Sequence, residues 1–277
     1  MAAARKALDA AGLWGTRIAV EPWDMESLPD YFANLIVSDG MLLTGRTAGT
    51  TEQGRRILRP WGGAACLSLH RDGDVVWRSF VRGPLEGAGE WTQQYGDPQN
   101  TACSGDELVY GPLGILWFGE PGPLGMVERH ARAQSPVAMG GRLFMEGEEQ
   151  VMAADAFNGT ILWKKPLAGW YPHNWPLKSG PGHLPRKLVA VGDRVFVAAG
   201  LGEPVVAIDA ATGRTLRRYQ GTKPTQEIIF SDGVLYLLVD PEAGPINYRA
   251  QTASYKEIAH ANSGWAWTPA RPERLIT

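Results

Sequence analysis

Four residues able to hold an anion lie close together in one Pro/Gly-rich stretch between two apolar runs: His173, Lys178, His183 and Arg186. A second basic pair, Arg129-His130, precedes the apolar run that opens at Pro136. Long loops on a rigid scaffold commonly carry function. Together these side chains could face an anionic ligand such as a quinone carboxylate or a sugar acid. The competing reading of each is a solvated or loop-bracing residue. Trp170, Tyr171 and Trp175 could stack on a sugar or quinone, or pack beneath the insertion. Metal chemistry finds less: none of the five His pairs at i, i+3 or i+4 with another His or a Cys, and no metal site is assigned. No Asn-x-Asp or Glu/Asn cluster suggests Ca²⁺, and no G-x-S-x-G elbow offers a serine nucleophile. No catalytic residue emerges. Cys66 and Cys103 are too few for a disulfide scaffold or a four-thiolate site.

The elements that must position these residues are drawn from 277 residues with a net charge of −2, 44% hydrophobic and 20% charged. That is the balance of a globular chain. Without a basic excess there is nothing to displace counterions from a nucleic acid. No apolar run approaches the roughly 18 residues of a membrane span. Met1–Ala10 carries Arg5 and Lys6 but no apolar stretch after them, so it is not a signal peptide. Localisation stays open; an exported or periplasmic site suits a longer parent protein.

The chain has two grammars. Residues 1–85 alternate helix and strand. The pattern predicts a helix over Ala3–Ala11 stopped by Gly12, strands at Arg17–Val20 and Asn34–Val37, a helix over Glu52–Leu58 closed by Pro60, and a strand at Ala64–Leu69. Short connections make this a parallel α/β sheet. Residues 86–277 are all-β and repetitive. Ala153-Ala154-Asp155-Ala156-Phe157-Asn158-Gly159-Thr160-Ile161-Leu162-Trp163 aligns with Ala207–Arg217 at an offset of 54. Each copy reads as strand, turn, strand, with Asp155 or Asp209 bonding turn amides and Gly159 or Gly213 taking the positive-φ position. A second element recurs at Gly140–Phe144, Gly192–Phe196 and Asp232–Tyr236, with Ser104–Tyr110 and Gly114–Trp117 as a degenerate fourth. Four-stranded units at this period predict about four blades of an incomplete propeller. Arg274–Thr277 looks like the opening of another such strand, and both ends look cut.

The A-x-D-A-x-(N/T)-G-x-x-L-W repeat resembles that of quinoprotein-type, PQQ-like β-propellers, and so does Trp91-Thr92-Gln93-Gln94-Tyr95-Gly96-Asp97-Pro98-Gln99-Asn100-Thr101. The resemblance implies that Trp163 docks on the neighbouring blade, whereas Arg217 departs from the pattern. It also implies pyrroloquinoline quinone (PQQ) as cofactor, yet the Cys-Cys pair found in many such dehydrogenases is missing. The first half resembles the middle of a class I S-adenosylmethionine-dependent methyltransferase through Arg17–Val20, Asp24, Ala33–Ser38 and Arg56–Gly63. That likeness makes Asp24, Ser38 and Asp39 remnants of a cofactor site. Only 16 residues precede Arg17 and no Gly-rich turn stands among them, so S-adenosylmethionine is not expected to bind. The pairing of the two halves resembles planctomycete-type bacterial proteins.

The reading is a binding or scaffold module, catalytically incomplete in this chain, with a protein, polysaccharide or small molecule as its unassigned partner. The alternatives are a PQQ-dependent oxidoreductase of the quinoprotein dehydrogenase type, and a methyltransferase activity in a longer parent.

Overall fold

The computed structural model describes residues 1–46, 49–119, 135–147, 150–167, 186–200, 203–241 and 274–276. They form two compact units, Met1–Pro84 and Leu85–Thr277. No helix among the described residues is long and apolar enough to cross a membrane.

In the first unit, helix α1 (Ala2–Ala10) ends at Ala11 with Gly12 at φ +66°, the left-handed turn expected of it. Strand β1 (Leu35–Ser38) leads through α2 (Gly40–Thr44) and α3 (Thr51–Ile57) to β2 (Ala64–Arg71). β1 and β2 are parallel, with Leu35 opposite Ala64. A capping box starts α3: Gln53 N–H donates to Thr50 Oγ1 at 3.1 Å, and Thr50 N–H donates to Gln53 Oε1 at 2.9 Å. Arg82 closes its other end, donating to the carbonyls of Arg55 at 2.6 Å and Leu58 at 2.5 Å, which no turn of helix would otherwise satisfy. The core is small: Leu58, Ala65 and Leu67, with Ile36, Leu69 and Phe80 packed on them.

Two expectations for this unit are corrected. Arg17–Val20 is no strand; Ile18 makes one isolated bridge with Trp14. The sheet is mixed, because β2 turns at Asp72-Gly73 into β3 (Asp74–Val81), which runs back antiparallel. Both turn residues have positive φ, 52° and 94°, as an Asp-Gly hairpin demands.

The second unit is built of antiparallel sheets. β4 (Val137–Met139), β5 (Arg142–Gly147), β6 (Gln150–Asp155) and β7 (Ile161–Pro166) form one four-stranded sheet in sequence order. β8 (Leu188–Val191), β9 (Arg194–Ala198), β10 (Val205–Asp209) and β11 (Thr215–Arg218) form the next. β12 (Thr225–Ser231), β13 (Val234–Val239) and β14 (Arg274–Ile276) form a third, of three strands. This arrangement is consistent with a partial propeller. The middle sheet is sandwiched. Val195 and Val197 of β9 join the core with Val137, Phe144 and Trp163 of the first sheet, while Phe196 between them joins Ile228, Leu237 and Val239 of the third. Burial on both faces is why β8, β9 and β10 read as apolar runs instead of alternating, whereas the edge strand β11 is exposed.

The two copies of the 54-residue repeat share their turn hydrogen bonds and strand register. Asp155 Oδ1 accepts from the amides of Phe157 and Asn158, and Asp209 Oδ1 from those of Ala211 and Thr212. Gly159 and Gly213 both have φ +72°. Strand register slips at the same place in each copy, between Ala153 and Ala154 and between Ala207 and Ile208. The Trp163 indole donates to Ala210 O at 3.0 Å and lies on Gly213, where a Cβ would come within 2.7 Å of the ring. The expected fourth repeat is corrected: Ser104–Trp117 contains no strand, and Val109, Tyr110 and Ile115 are exposed. It keeps one part of the pattern, because Trp117 donates to Ala156 O at 2.9 Å and lies on Gly159 as Trp163 lies on Gly213.

Trp163 is therefore expected to be the costliest aromatic to remove. Trp163→Ala should lower unfolding free energy by about 3–5 kcal/mol in urea denaturation, and half-buried Trp117→Ala by less. Gly213→Ala should cost at least about 1 kcal/mol from its φ alone, with the ring clash added. A loss under about 1 kcal/mol at Trp163 would contradict the staple.

Candidate functional site

Strands β4, β8 and β12 open the three sheets, and β8 packs against both others. Each has one edge paired within its sheet and one edge free. Buried backbone groups at a free edge need partners, and the segment Trp91–Gln93 supplies them for all three. Trp91 exchanges two backbone hydrogen bonds with Ala138 of β4, at 2.8 and 2.7 Å. Thr92 O accepts from Ala190 N of β8 at 2.9 Å. Gln93 then uses its side chain: its Oε1 accepts from Phe230 N of β12 at 2.9 Å, and its Nε2 donates to Phe230 O at 3.1 Å. A primary amide carries the same donor and acceptor as a peptide unit, so Gln93 continues the edge contact where the backbone has turned away.

The rest of the motif makes that turn. Tyr95, Gly96 and Asn100 take φ of 62°, 92° and 59°. Thr92 N–H donates to Gly96 O at 2.9 Å, and Ala102 N–H to Tyr95 O at 2.8 Å. Asp97 accepts from both the amide and the hydroxyl of Thr101, which hold its carboxyl below its usual range. The side chain of Gln94 accepts from Ser135 N at 3.1 Å, just before β4.

Arg186 stands beside this knot. Its Nη1 lies 2.9 Å from Glu227 Oε1, its guanidinium is 5.5 Å from the Tyr95 ring centre, and its carbonyl accepts from Ile228 N. The residue expected to hold a ligand thus ties the second sheet to the third. Its companions Arg129, His130, His173, Lys178 and His183 lie outside the described residues, as do Trp170, Tyr171 and Trp175. In the first unit, Asp24 Oδ1 accepts from Ser27 N at 2.8 Å, which lowers its pKa. Ser38 Oγ accepts from Gly40 N, and Asp39 precedes α2 as its N-cap residue without a side-chain bond. All three serve local turns.

Sequence reasoning missed a buried pair between the first two sheets. Glu146 near the end of β5 and Lys187 just before β8 are 5% and 1% exposed. Burial pushes the Glu146 carboxyl well above its usual range, against the pull of Lys187. Burial likewise lowers Lys187 to about 8, against the attraction of Glu146. Among the described residues no donor reaches either Glu146 oxygen. Nothing in F-M-E-G-E-E or R-K-L-V-A-V marks these two charges as buried; only the packing does.

Among the described residues, the place beside the Trp91–Gln93 segment does not fit PQQ over a Ca²⁺. The space between Gln93, Asp97, Asn100, Arg186 and Glu227 is about 10 Å³, room for at most one water. Its two acidic residues are already committed, to Thr101 and to Arg186.

Stacked antiparallel sheets stapled by a tryptophan–glycine contact define a repeat protein of PQQ-like type. The family model described as outer membrane protein assembly factor BamB matches residues 64–239. That is more than half of the chain, and the chain belongs to this family. Solved structures with a similar fold include the quinohemoprotein alcohol dehydrogenase of Pseudomonas putida HK5, at 17% identity and TM-score 0.36 over 54% of this chain and 22% of that one. BamB from Moraxella catarrhalis aligns at 18% identity and TM-score 0.24 over 42% of this chain and 28% of that one. A europium-containing methanol dehydrogenase aligns at 15% identity and TM-score 0.36 over 55% of this chain and 27% of that one. The chain thus spans under a third of each. No curated protein matches it.

Two outcomes follow. Gln93→Ala should cost about 1–3 kcal/mol, because it strips partners from the Phe230 amide and carbonyl; a cost near zero in urea denaturation would mean the edge is satisfied otherwise. For Lys187, folded and unfolded forms are both protonated below about pH 8, so the penalty of burying the ammonium is then full. Between about 8 and 10.5 the unfolded chain binds more protons, and stability from this group rises with pH. Urea midpoints of wild type and Lys187→Met, compared near pH 7.5 and pH 10, should shift in favour of wild type at the higher pH; a pH-independent difference would refute the assignment.

Proposed function

We propose that this chain is a binding or scaffold module of PQQ-like repeats, catalytically incomplete in itself, whose partner is a protein. The observation that carries this reading is the use of Trp91–Gln93 to close the free edges of β4, β8 and β12. The chain itself occupies the place where the edges of the three sheets meet, and the space beside it is about 10 Å³. The assembly-factor description of its family supports a protein partner. For residues 1 to about 85 the proposal keeps the back half of a methyltransferase-like sheet, supported by the parallel β1–β2 pair with helices between; the family match from residue 64 takes in β2 and β3 and stands against it for that part. S-adenosylmethionine binding is not part of the proposal.

Titrating PQQ with Ca²⁺ into the full chain tests this against the oxidoreductase alternative. The expected outcome is no saturable quench of tryptophan emission and no dye reduction with primary alcohols. A saturable micromolar quench would overturn the scaffold reading in favour of a quinoprotein.

A further inference from the structure

Among the described residues, nothing covers one part of the core-side face of the β2–β3 hairpin. Cross-strand pairs place Ala65 opposite Phe80, Leu67 opposite Arg78, and Leu69 opposite Val76. Paired residues share a face, so Arg78 projects from the same face as the core residues Ala65 and Leu67. Helix α3 is only seven residues long, and beyond it the face opens into a cavity of about 500 Å³. This is within the usual range for small-molecule sites. Leu67, Leu69, Val76 and Phe80 make its apolar part, and Arg55, Arg71 and Arg78 surround them, with no Asp or Glu among the described lining residues.

Charge is unevenly placed here. The chain as a whole is at −2, yet three guanidiniums converge on one cavity. Arg71 has a partner, Asp72, at 3.4 Å, and both are well exposed. Arg55 lies 5.7 Å from the Phe80 ring centre, and neither it nor Arg78 makes an ion pair among the described residues. Like charges side by side repel, and an anion between them relieves that repulsion. Guanidinium pairs well with carboxylate in a two-pronged geometry, and the leucines beneath favour an apolar body over a bare ion.

We infer that this cavity binds a small amphipathic anion, with a carboxylate-type head held by Arg55 and Arg78 and a hydrocarbon or aryl body lying on Leu67, Leu69, Val76 and Phe80. The site shares no residue with the Trp91–Gln93 knot, so its failure leaves the scaffold reading intact and the reverse holds too. A peptide with acidic and apolar residues is the alternative occupant, and the volume favours the smaller ligand.

Calorimetric titration of the full chain with octanoate, and with 1-octanol as the uncharged control, tests the inference. Octanoate should bind one to one, about tenfold or more tighter than octanol. Arg55→Gln and Arg78→Gln should each weaken octanoate about fivefold or more and leave octanol unchanged. Both arginines are exposed, and unchanged circular dichroism and melting temperature would show the variants folded. On wild type alone, octanoate affinity should fall as NaCl rises from about 20 to about 200 mM. Equal affinity for octanoate and octanol, or salt-independent octanoate binding, would overturn the inference, as would saturable binding of an acidic apolar peptide without any of octanoate.

Discussion

Three sheets that stack face to face must each leave one strand edge where the stack converges. Water is poorly placed to satisfy such edges, and an unmet buried amide or carbonyl costs as much as a lost hydrogen bond. In this protein one tripeptide meets the need three times, by a different means each time: a two-way backbone bridge, a single backbone acceptor, and a side-chain amide standing in for a peptide. The change of means follows from geometry. A chain crossing successive sheets cannot keep backbone register with all of them. Before the chain turns back at Gly96, the Gln93 side chain carries both a donor and an acceptor on to Phe230.

Away from that knot, cohesion comes from apolar faces and one repeated contact. The indole of one repeat lies over the glycine of the next and donates to the carbonyl three residues before that glycine, in both places where donor and receiver are described. Glycine is needed there twice over, for its positive φ and for the absence of a Cβ beneath the ring. The contact is directional, running from each repeat to the one that follows. Arg217 breaks the series. Its guanidinium lies 4.9 Å from the Tyr219 ring centre on its own side of the sheet turn. A charged, solvated side chain there replaces an apolar staple with a weaker, water-tolerant one.

How much of this was legible in the sequence depended on whether the signal was local. The Asp–Gly turns, the capping of α1 by Gly12 and the repeat at 54 residues rest on chemistry within a few positions, and they appear where expected. Trp117 was legible as a repeat element but not as an unpaired one, because a strand needs a neighbour that no local pattern supplies. The β3 strand went unread although Asp72-Gly73 announces its hairpin, since the preceding helix–strand pattern suggested a wholly parallel sheet. Arg186 was singled out for its charge, and the structure gives it a tie between sheets instead of an open ligand site. Gln93 lay within a recognised motif, yet its role depends on Phe230, 137 residues away.

Glu146 and Lys187 set the strongest limit on a purely architectural account. Elsewhere the interface between the first two sheets is hydrocarbon, and apolar residues of similar volume commonly stabilise such a place as well as an ion pair or better. Glu146 stands near the C-terminal end of β5, and Lys187 stands just before the N-terminal end of β8. Desolvation moves the two toward their neutral forms, while mutual attraction opposes it in each case. The interface between the first two sheets is therefore hydrocarbon over most of its area and charged at one end, where burial and mutual attraction oppose each other.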